Sequence, residues 1–259
     1  LGVIETVYPD LTAEAGDEAT PPANLPESPR RVVTHTGSSA IVLAVDLDAL
    51  MREARRTRGT VEFVPQVGDF LSVDEPLFVL HGGATTIDDD KLRASTALGP
   101  ERTMEQDPLF SFRILVDIGL KALSPAINDP TTGVLAIDQI HRLLRSVGRR
   151  RLRGEVLADG LGDPRVIYRT PNWEDFVHIS CTEIRHCGAS NVQIARRLRA
   201  LLENLILSLP RHRHRALMEE RDRLDLALKA LYPIPADLAL AGVPDSQGLG
   251  GSTGARGRG

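Results

Sequence analysis

The stretch that says most about the fold is DPLFSFRILVDIGLKALSPAINDPTTG, residues 107–133. It is typical of a largely apolar helix that carries a few charges, followed by a polar turn and the start of a second helix. Asp129 is a good N-cap, and Pro130 suits the first position of the helix that follows. Buried charges are costly unless they bind one another, the backbone or a ligand, so this stretch is the best candidate for a site.

The charges of the first helix form one row. Arg113, Asp117 and Lys121 are spaced at i, i+4 and i+8, which places them on the same helix face. Apolar residues of the same helix, such as Ile114 and Ile118, surround the row and predict that it is partly buried. Two interpretations stay open: an internal salt-bridge stripe that fixes helix packing, or an anion site or gating network.

The turn that follows the first helix is the second candidate. The N-terminus of a helix binds anions through its free amide groups, and the hydroxyls of Thr131 and Thr132 would add donors. The carboxylate of Asp129, however, accepts hydrogen bonds from those amides as a cap, and its charge repels an anion. This favours a purely structural turn. The predicted binding residues of the whole stretch are Arg113, Asp117, Lys121, Ser124, Asn128, Asp129, Thr131 and Thr132.

Other polar clusters give weaker indications. His178 and Cys181 are spaced at i and i+3 and can face the same way, but zinc needs three or four protein ligands and no second pair is evident. The sequence contains neither a glycine-rich phosphate loop, nor a dinucleotide fingerprint, nor a Gly-x-Ser-x-Gly elbow. We therefore predict no metal site, no cofactor and no assigned catalytic residue.

The composition excludes some classes of protein. The chain has 259 residues, a net charge of -4 and 42% apolar residues. This acidic balance argues against nucleic acid as a partner, and the apolar share supports a sizeable core. Cys181 and Cys187 cannot supply a disulfide framework, so we expect a reducing compartment. No stretch approaches the roughly 20 apolar residues of a membrane span, and no signal peptide is evident.

The order of the elements predicts an α+β fold. Its parts, in chain order, are a helix end with a proline-rich linker (residues 1–30), a small β-rich module (31–87), a helical domain (88–235) and a disordered tail (236–259). Alternating polarity predicts a half-buried strand at residues 61–64. A further short strand is expected at residues 166–168, inside the helical range.

A family resemblance rests on residues 115–132, LVDIGLKALSPAINDPTT, with support from residues 68–70 (GDF) and 5–9 (ETVYP). Together they resemble a family of predicted bacterial membrane proteins, the domain of unknown function 2254. The resemblance extends over most of residues 1–230 and implies a multi-pass protein of the cell membrane. It further implies that this chain is the soluble, cytoplasmic C-terminal part, from which the membrane helices are missing. No activity is established for the family.

Two hypotheses of different classes follow. In the first, the chain is a regulatory or assembly domain of a membrane channel or transporter, and its polar turn lies at a subunit interface or ligand pocket. Its expected partners are its own membrane region, further copies of itself, and a small ion or anionic metabolite. In the second, the chain is a hydrolase that uses Asp117, Ser124 or His178 in a cleft.

Overall fold

The computed structural model describes residues 2–12, 30–152 and 155–250. Most of the proline-rich linker predicted before residue 30 lies outside these ranges. The chain divides into two compact units. The first, called here the helical unit, contains residues 1–16, 111–152 and 171–259, and the second, called the β unit, contains residues 17–110 and 153–170.

Strands dominate the first part of the chain and helices the later part, which confirms the α+β prediction. The helices are α1 (Gly2–Val7), α2 (Leu47–Thr57), α3 (Asp89–Ala94), α4 (Pro108–Leu123), α5 (Pro130–Gly148), α6 (Trp173–Gly188), α7 (Val192–Ser208), α8 (His214–Leu231) and α9 (Pro235–Ala241). The strands are β1 (Arg30–Thr34), β2 (Ala40–Val45), β3 (Gly59–Phe63), β4 (Phe70–Leu71), β5 (Pro76–Gly82), β6 (Thr96–Gly99), β7 (Val156–Ala158) and β8 (Pro164–Tyr168).

The β unit contains, within its described residues, a five-stranded sheet in the order β1-β5-β3-β8-β7 and a three-stranded sheet in the order β4-β2-β6. Strand β3 pairs antiparallel with β5 and parallel with β8, so that Val61 lies opposite Val166. The short strand predicted at residues 166–168 is confirmed. It joins the β unit, although it follows α5 in the chain.

Strand β3 is more buried than predicted. Its alternating polarity predicts a half-buried strand, whereas every residue of β3 except Glu62 is buried. The strand lies at the centre of its sheet, and α2 packs against it, so solvent is removed from both polar and apolar positions. Glu62 instead faces the ring of His81, with 3.3 Å between Oε2 and Nε2.

In the helical unit, polar side chains fix the starts of the helices. Asn172 and Asp175 form a capping box at α6, and Asp129 caps α5 ahead of Pro130. The side chain of Asn191 caps α7 in the same way. The apolar faces of these helices and of α8 enclose a core that includes Phe176, Ile184, Leu198, Leu201, Leu205 and Leu224.

The end of the described chain differs from the predicted disordered tail. Residues Pro235–Ala241 form α9, and Asp245 beyond it is buried. The glycine- and serine-rich composition predicts disorder, but the carboxylate of Asp245 accepts hydrogen bonds from backbone amides within residues 247–250. These bonds order a segment that has few apolar side chains of its own. Residues 251–259 lie outside the described ranges.

Candidate functional site

The predicted row of charges lies on the outer face of α4 and is more exposed than predicted. Arg113 is partly buried, but the side chain of Asp117 is 61% exposed and Lys121 faces solvent. The opposite face of the helix buries Phe112 and Val116 completely. Because the helix is apolar on nearly all sides and covered on one, the apolar residues beside the row do not shield it from water.

Arg113 is the best-connected member of the row. Its guanidinium forms an ion pair with Asp117 one turn later and a second with Glu183 of α6, at an N–O distance of 2.8 Å. The hydrogen bond with Glu183, and then that with Asp117, raise the pKa of Arg113 above its ordinary value. Lys121 forms no ion pair with any residue that the structure describes. The row is therefore one guanidinium held between two carboxylates, plus a separate lysine.

Sequence reasoning did not find Glu183 as a partner of this row. The two residues are 70 positions apart, and no helical spacing relates them. The contact arises because α4 packs against α6, where Gly119 approaches the side chain of Ile184. Only the tertiary arrangement brings the second carboxylate to Arg113.

The turn after α4 is held by its own hydrogen bonds. Asp129 accepts bonds from the hydroxyl and the amide of Thr132, and these bonds, the hydroxyl most, lower the pKa of Asp129. The Ser124 hydroxyl donates to the carbonyl of Lys121, and the Asn128 amide donates to the carbonyl of Ser124, both at 2.8 Å. Asn128 has φ of 47°, a left-handed conformation that asparagine adopts more readily than most residues. Local bonds thus account for the shape of the turn.

The predicted binding residues divide into two groups. Among the residues that the structure describes, the side chains of Lys121, Asn128 and Thr131 are exposed and make no hydrogen bond within the chain. The remaining members of the predicted set are engaged in the contacts given above. An anion at the N-terminus of α5 would meet the carboxylate of Asp129 there. The geometry therefore offers an exposed polar surface rather than an enclosed anion pocket.

The side chains considered for hydrolysis are each engaged elsewhere. The Ser124 hydroxyl donates to the backbone, Asp117 pairs with Arg113, and Nδ1 of His178 lies 3.2 Å from the Thr182 hydroxyl. No described hydrogen bond joins Ser124, Asp117 and His178 to one another. Within residues 2–12, 30–152 and 155–250, no group of three or more His, Cys, Asp or Glu side chains is placed to hold a metal ion.

A second candidate site lies within the β unit. It is an open cavity of about 300 Å³ beyond the carboxyl ends of β3 and β8, the two strands that run parallel. The other pairs of this sheet are antiparallel, but the chain leaves both of these strands at the same edge, which is the end where ligands bind in parallel sheets. Apolar side chains form part of its wall: Val64, Phe70, Leu71 and Pro76.

Charges of both signs line this cavity. Arg169 directly follows β8, and its guanidinium lies 3.9 Å from the carboxylate of Asp69. Glu75 adds a second, exposed carboxylate. The turn that carries Asp69 is fixed because its carboxylate accepts a hydrogen bond from the amide of Gln66, at 2.8 Å. The cavity therefore presents a cation and two anions above an apolar surface.

A buried carboxylate explains why this turn needs a glycine. Gly68 has φ of 95°, and a Cβ there would come within 2.5 Å of Oδ2 of Asp107. Asp107 accepts a hydrogen bond from the amide of Phe110, 3.0 Å away, at the start of α4. Burial raises the pKa of Asp107, although the Phe110 amide and the guanidinium of Arg102 oppose this shift. The GDF motif contributed to the family resemblance, whereas no sequence pattern indicated Arg169.

Comparison with known proteins identifies the family. Residues 3–204 match the family described as predicted membrane protein (DUF2254), and this chain belongs to it. The resemblance inferred from the helix–turn motif is thereby confirmed. In the part of the chain that the structure describes, no helix combines the length and the apolar character needed to cross a membrane.

Curated relatives of this chain come from mycobacteria. Proteins described only as uncharacterized, from Mycobacterium bovis and from two strains of Mycobacterium tuberculosis, are each 28% identical to it over 211 residues. The alignment covers 79% of this chain and 39% of each relative. The chain thus spans about two fifths of the length of the curated relatives it matches. No solved structure matches it.

Proposed function

We propose that this member of a predicted membrane-protein family is the assembly domain of a multi-pass membrane protein, and that two copies meet through the outer face of α4. The observation that carries the proposal is the apolar surface beside the charged row. Ile118 is 45% exposed, and Ile127 in the following turn is exposed to a similar degree. Exposed apolar surface rimmed by polar side chains is typical of sites where proteins associate.

The charges on this face suit a second copy of the same chain. Arg113 and Lys121 are cationic, whereas Asp117 and Glu183 are anionic, and all belong to one surface. In a two-fold symmetric interface a patch meets itself, so a surface that carries both signs can pair its own cations with its own anions. A partner of a single sign would leave like charges opposed.

The oligomeric state tests this proposal. Size-exclusion chromatography with light scattering is expected to give a dimer for the wild-type chain and a monomer for Ile118→Asp, because the new carboxylate would be buried in the interface. Leu226→Asp is the matched control, since Leu226 lies on α8 and is also exposed. A monomeric wild type, or an Ile118→Asp variant that remains a dimer, would contradict the proposal.

The membrane region, in this proposal, belongs to the remainder of the full-length protein, and this chain lies on the cytoplasmic side. The free thiols of Cys181 and Cys187 support a reducing compartment. Cys187 is exposed, whereas burial raises the pKa of the Cys181 thiol and keeps it unreactive.

Thiol labelling of the full-length protein tests the side of the membrane. A membrane-impermeant maleimide is expected to label Cys187 only after the cells are permeabilised. The Cys187→Ser variant identifies the labelled position, because all other thiols are unchanged in it. Labelling at Cys187 in intact cells would place the chain on the opposite side.

A second candidate function is the regulatory binding of a small metabolite, and the cavity beside Arg169 favours it. A carboxylate of the ligand would pair with Arg169, and an amino group would pair with Asp69 or Glu75. An apolar side chain would lie against Phe70 and Leu71. The arrangement suits a small zwitterion with an apolar side chain rather than a simple anion, which both carboxylates would repel.

Calorimetric titration distinguishes these ligand classes. L-leucine is the probe, and 4-methylpentanoate and 3-methylbutylamine are its analogues without the amine and without the carboxylate. We expect L-leucine to bind at least about tenfold more tightly than either analogue, because each lacks one charged partner. Arg169→Ala is expected to abolish the advantage over 3-methylbutylamine, the analogue without the carboxylate, whereas Arg215→Ala, at an exposed position on α8, leaves it unchanged. Equal binding of all three probes, or none, would remove this candidate.

A further inference from the structure

A completely buried arginine lies on α7. The side chain of Arg196 has no exposed surface, although a buried guanidinium is costly unless its donors are satisfied. Its Nε donates to the carbonyl of Val243 at 3.0 Å, and one terminal nitrogen donates to the carbonyl of Gly250 at 2.9 Å. Backbone carbonyls of the segment after α9 therefore accept two of the hydrogen bonds that this buried cation donates.

The same segment brings a buried anion with it. Asp245 is 1% exposed, and its carboxylate accepts hydrogen bonds from the amides of Gln247 (3.0 Å), Gly248 (3.1 Å) and Gly250 (2.7 Å). Burial opposes ionisation, but these amides and the nearby Arg196 lower the pKa of Asp245 overall. The Asp245 amide in turn donates to the carbonyl of Arg196, at 3.1 Å. The segment is thus folded around its own carboxylate and fixed to α7.

Further contacts tie the segment to α5 and α7. The side chain of Gln193 donates to the carbonyl of Gly248 at 2.6 Å. Gly248 has φ of 70°, and a Cβ there would come within 2.5 Å of Val134 on α5, so only glycine fits. The contacting side of the helices, called here the clasp surface, consists of Val134, Gln193, Arg196 and Arg197.

These contacts follow the pattern of peptide recognition. Gln193 and Arg196 bind main-chain carbonyls of the segment, while one carboxylate and one tightly packed glycine fix its shape. The matched family residues 3–204 contain the whole clasp surface, whereas residues 242–250 lie beyond them. The occupant therefore lies outside the part of the chain that matches the family.

We propose that the clasp surface is a peptide-binding site and that residues 242–250, GVPDSQGLG, are its intramolecular ligand. The ligand class is a glycine-rich turn that begins with an aspartate and has glycine three and five positions later, as Asp245, Gly248 and Gly250 do here. While this segment is bound, the site is closed to other chains. When it is displaced, the guanidinium of Arg196 becomes available to the same kind of turn from a partner.

The experiment uses the full chain and a fluorescent synthetic peptide of residues 242–250. Asp245→Asn removes the negative charge that folds the segment and is expected to release the site. Anisotropy titrations should then show peptide binding to Asp245→Asn at least about tenfold tighter than to the wild type, whose own segment competes at high effective concentration. Asp222→Asn, at an exposed position on α8, should behave like the wild type. The same peptide with asparagine in place of aspartate should not bind.

Hydrogen exchange shows whether the segment has been released. In Asp245→Asn we expect the amides of residues 247–250 to exchange at least about tenfold faster than in the wild type, while the amides of α7 remain protected. Gln193→Ala is a second variant that loosens the segment without touching a buried charge. The proposal is overturned if both variants keep the segment protected, or if the segment exchanges rapidly in a folded Asp245→Asn variant that binds no peptide.

Discussion

Two sets of charges in the helical unit lie in very different surroundings. On α4, Arg113 and Asp117 are surrounded in sequence by apolar residues, yet Asp117 is mostly exposed. On α8, a polar helix, Glu220 is buried and accepts a 2.7 Å hydrogen bond from Arg185 of α6. The apolar neighbours of a charge in sequence therefore do not predict its burial. The side of the helix that meets other helices decides it.

The position of Glu220 was nevertheless readable from the sequence. It lies three residues after Leu217 and four before Leu224, so it occupies the apolar stripe of α8. A carboxylate within such a stripe is buried and needs a partner, whereas a carboxylate on the helix face next to the stripe stays in solvent. The partner, Arg185, could not be predicted, because it comes from another helix.

The largest expected effect comes from breaking the buried pair. Glu220→Ala leaves the guanidinium of Arg185 without its carboxylate in the interior, and we expect the free energy of unfolding to fall by about 3–5 kcal/mol. Urea denaturation of both proteins measures this change. The control is Glu219→Ala at the neighbouring, exposed position, which should alter stability by no more than about 0.5 kcal/mol. If both variants lowered the free energy of unfolding by similar amounts, the contrast between buried and exposed charges would be refuted.

An intermediate effect is expected at His141, which lies between these extremes. Arg197 donates to Nδ1 of His141 at 3.1 Å, and Nε2 lies 3.0 Å from the side-chain oxygen of Asn204. Burial first, and then the charge of Arg197, lower the pKa of His141. The folded protein therefore binds this proton less readily than the unfolded chain, so stability is lost as the pH falls below the ordinary histidine pKa of about 6.5.

His141→Gln tests this pH dependence. The variant is expected to lose about 1 kcal/mol near neutral pH, because hydrogen bonds are disrupted. It should also show a weaker loss of stability between about pH 7 and pH 5 than the wild type. Urea denaturation at several pH values measures both quantities, with His186→Gln as the exposed control. If His141→Gln lost as much stability between these pH values as the wild type, other groups would have to cause that loss.

The smallest effect is expected on α4. Asp117→Asn removes an exposed carboxylate, and Arg113 keeps its hydrogen bond with Glu183. The free energy of unfolding should therefore fall by less than about 1 kcal/mol at low protein concentration. Urea denaturation of both proteins at low and at high protein concentration measures this change. If two copies meet through this face, the loss increases with concentration, because the interface loses one of its anions. If the free energy of unfolding of the monomer fell by several kcal/mol, the charged row on α4 would have to be buried.

The sequence predicted those parts of the fold that depend on local chemistry. Capping by Asp129 and the placement of Pro130 at the first position of α5 are properties of a few neighbouring residues, and they were identified correctly. The strand at residues 166–168 was also recognised, but its parallel pairing with β3 was not. Pairing across about a hundred residues depends on the whole fold, which no local pattern encodes.

The candidate sites were predicted less completely for the same reason. The residues of the helix–turn motif were found, but Glu183 completes the row from another helix, and Arg169 completes the cavity from the position just after β8. The ordered segment after α9 was missed because its glycine- and serine-rich composition shows only that it has few apolar side chains to bury. This segment is instead fixed by backbone amides and one carboxylate.

The interleaving of the two units has a consequence for synthesis on the ribosome. The β unit is completed only when residues 153–170 have emerged, after α4 and α5 have been translated. The helical unit contains the first residues of the chain, whose Tyr8 packs edge-on against Phe176. Neither unit can therefore finish folding before residue 170 has emerged from the ribosome. During that interval β3 lacks one neighbour, and its exposed edge is a natural place for a chaperone to bind.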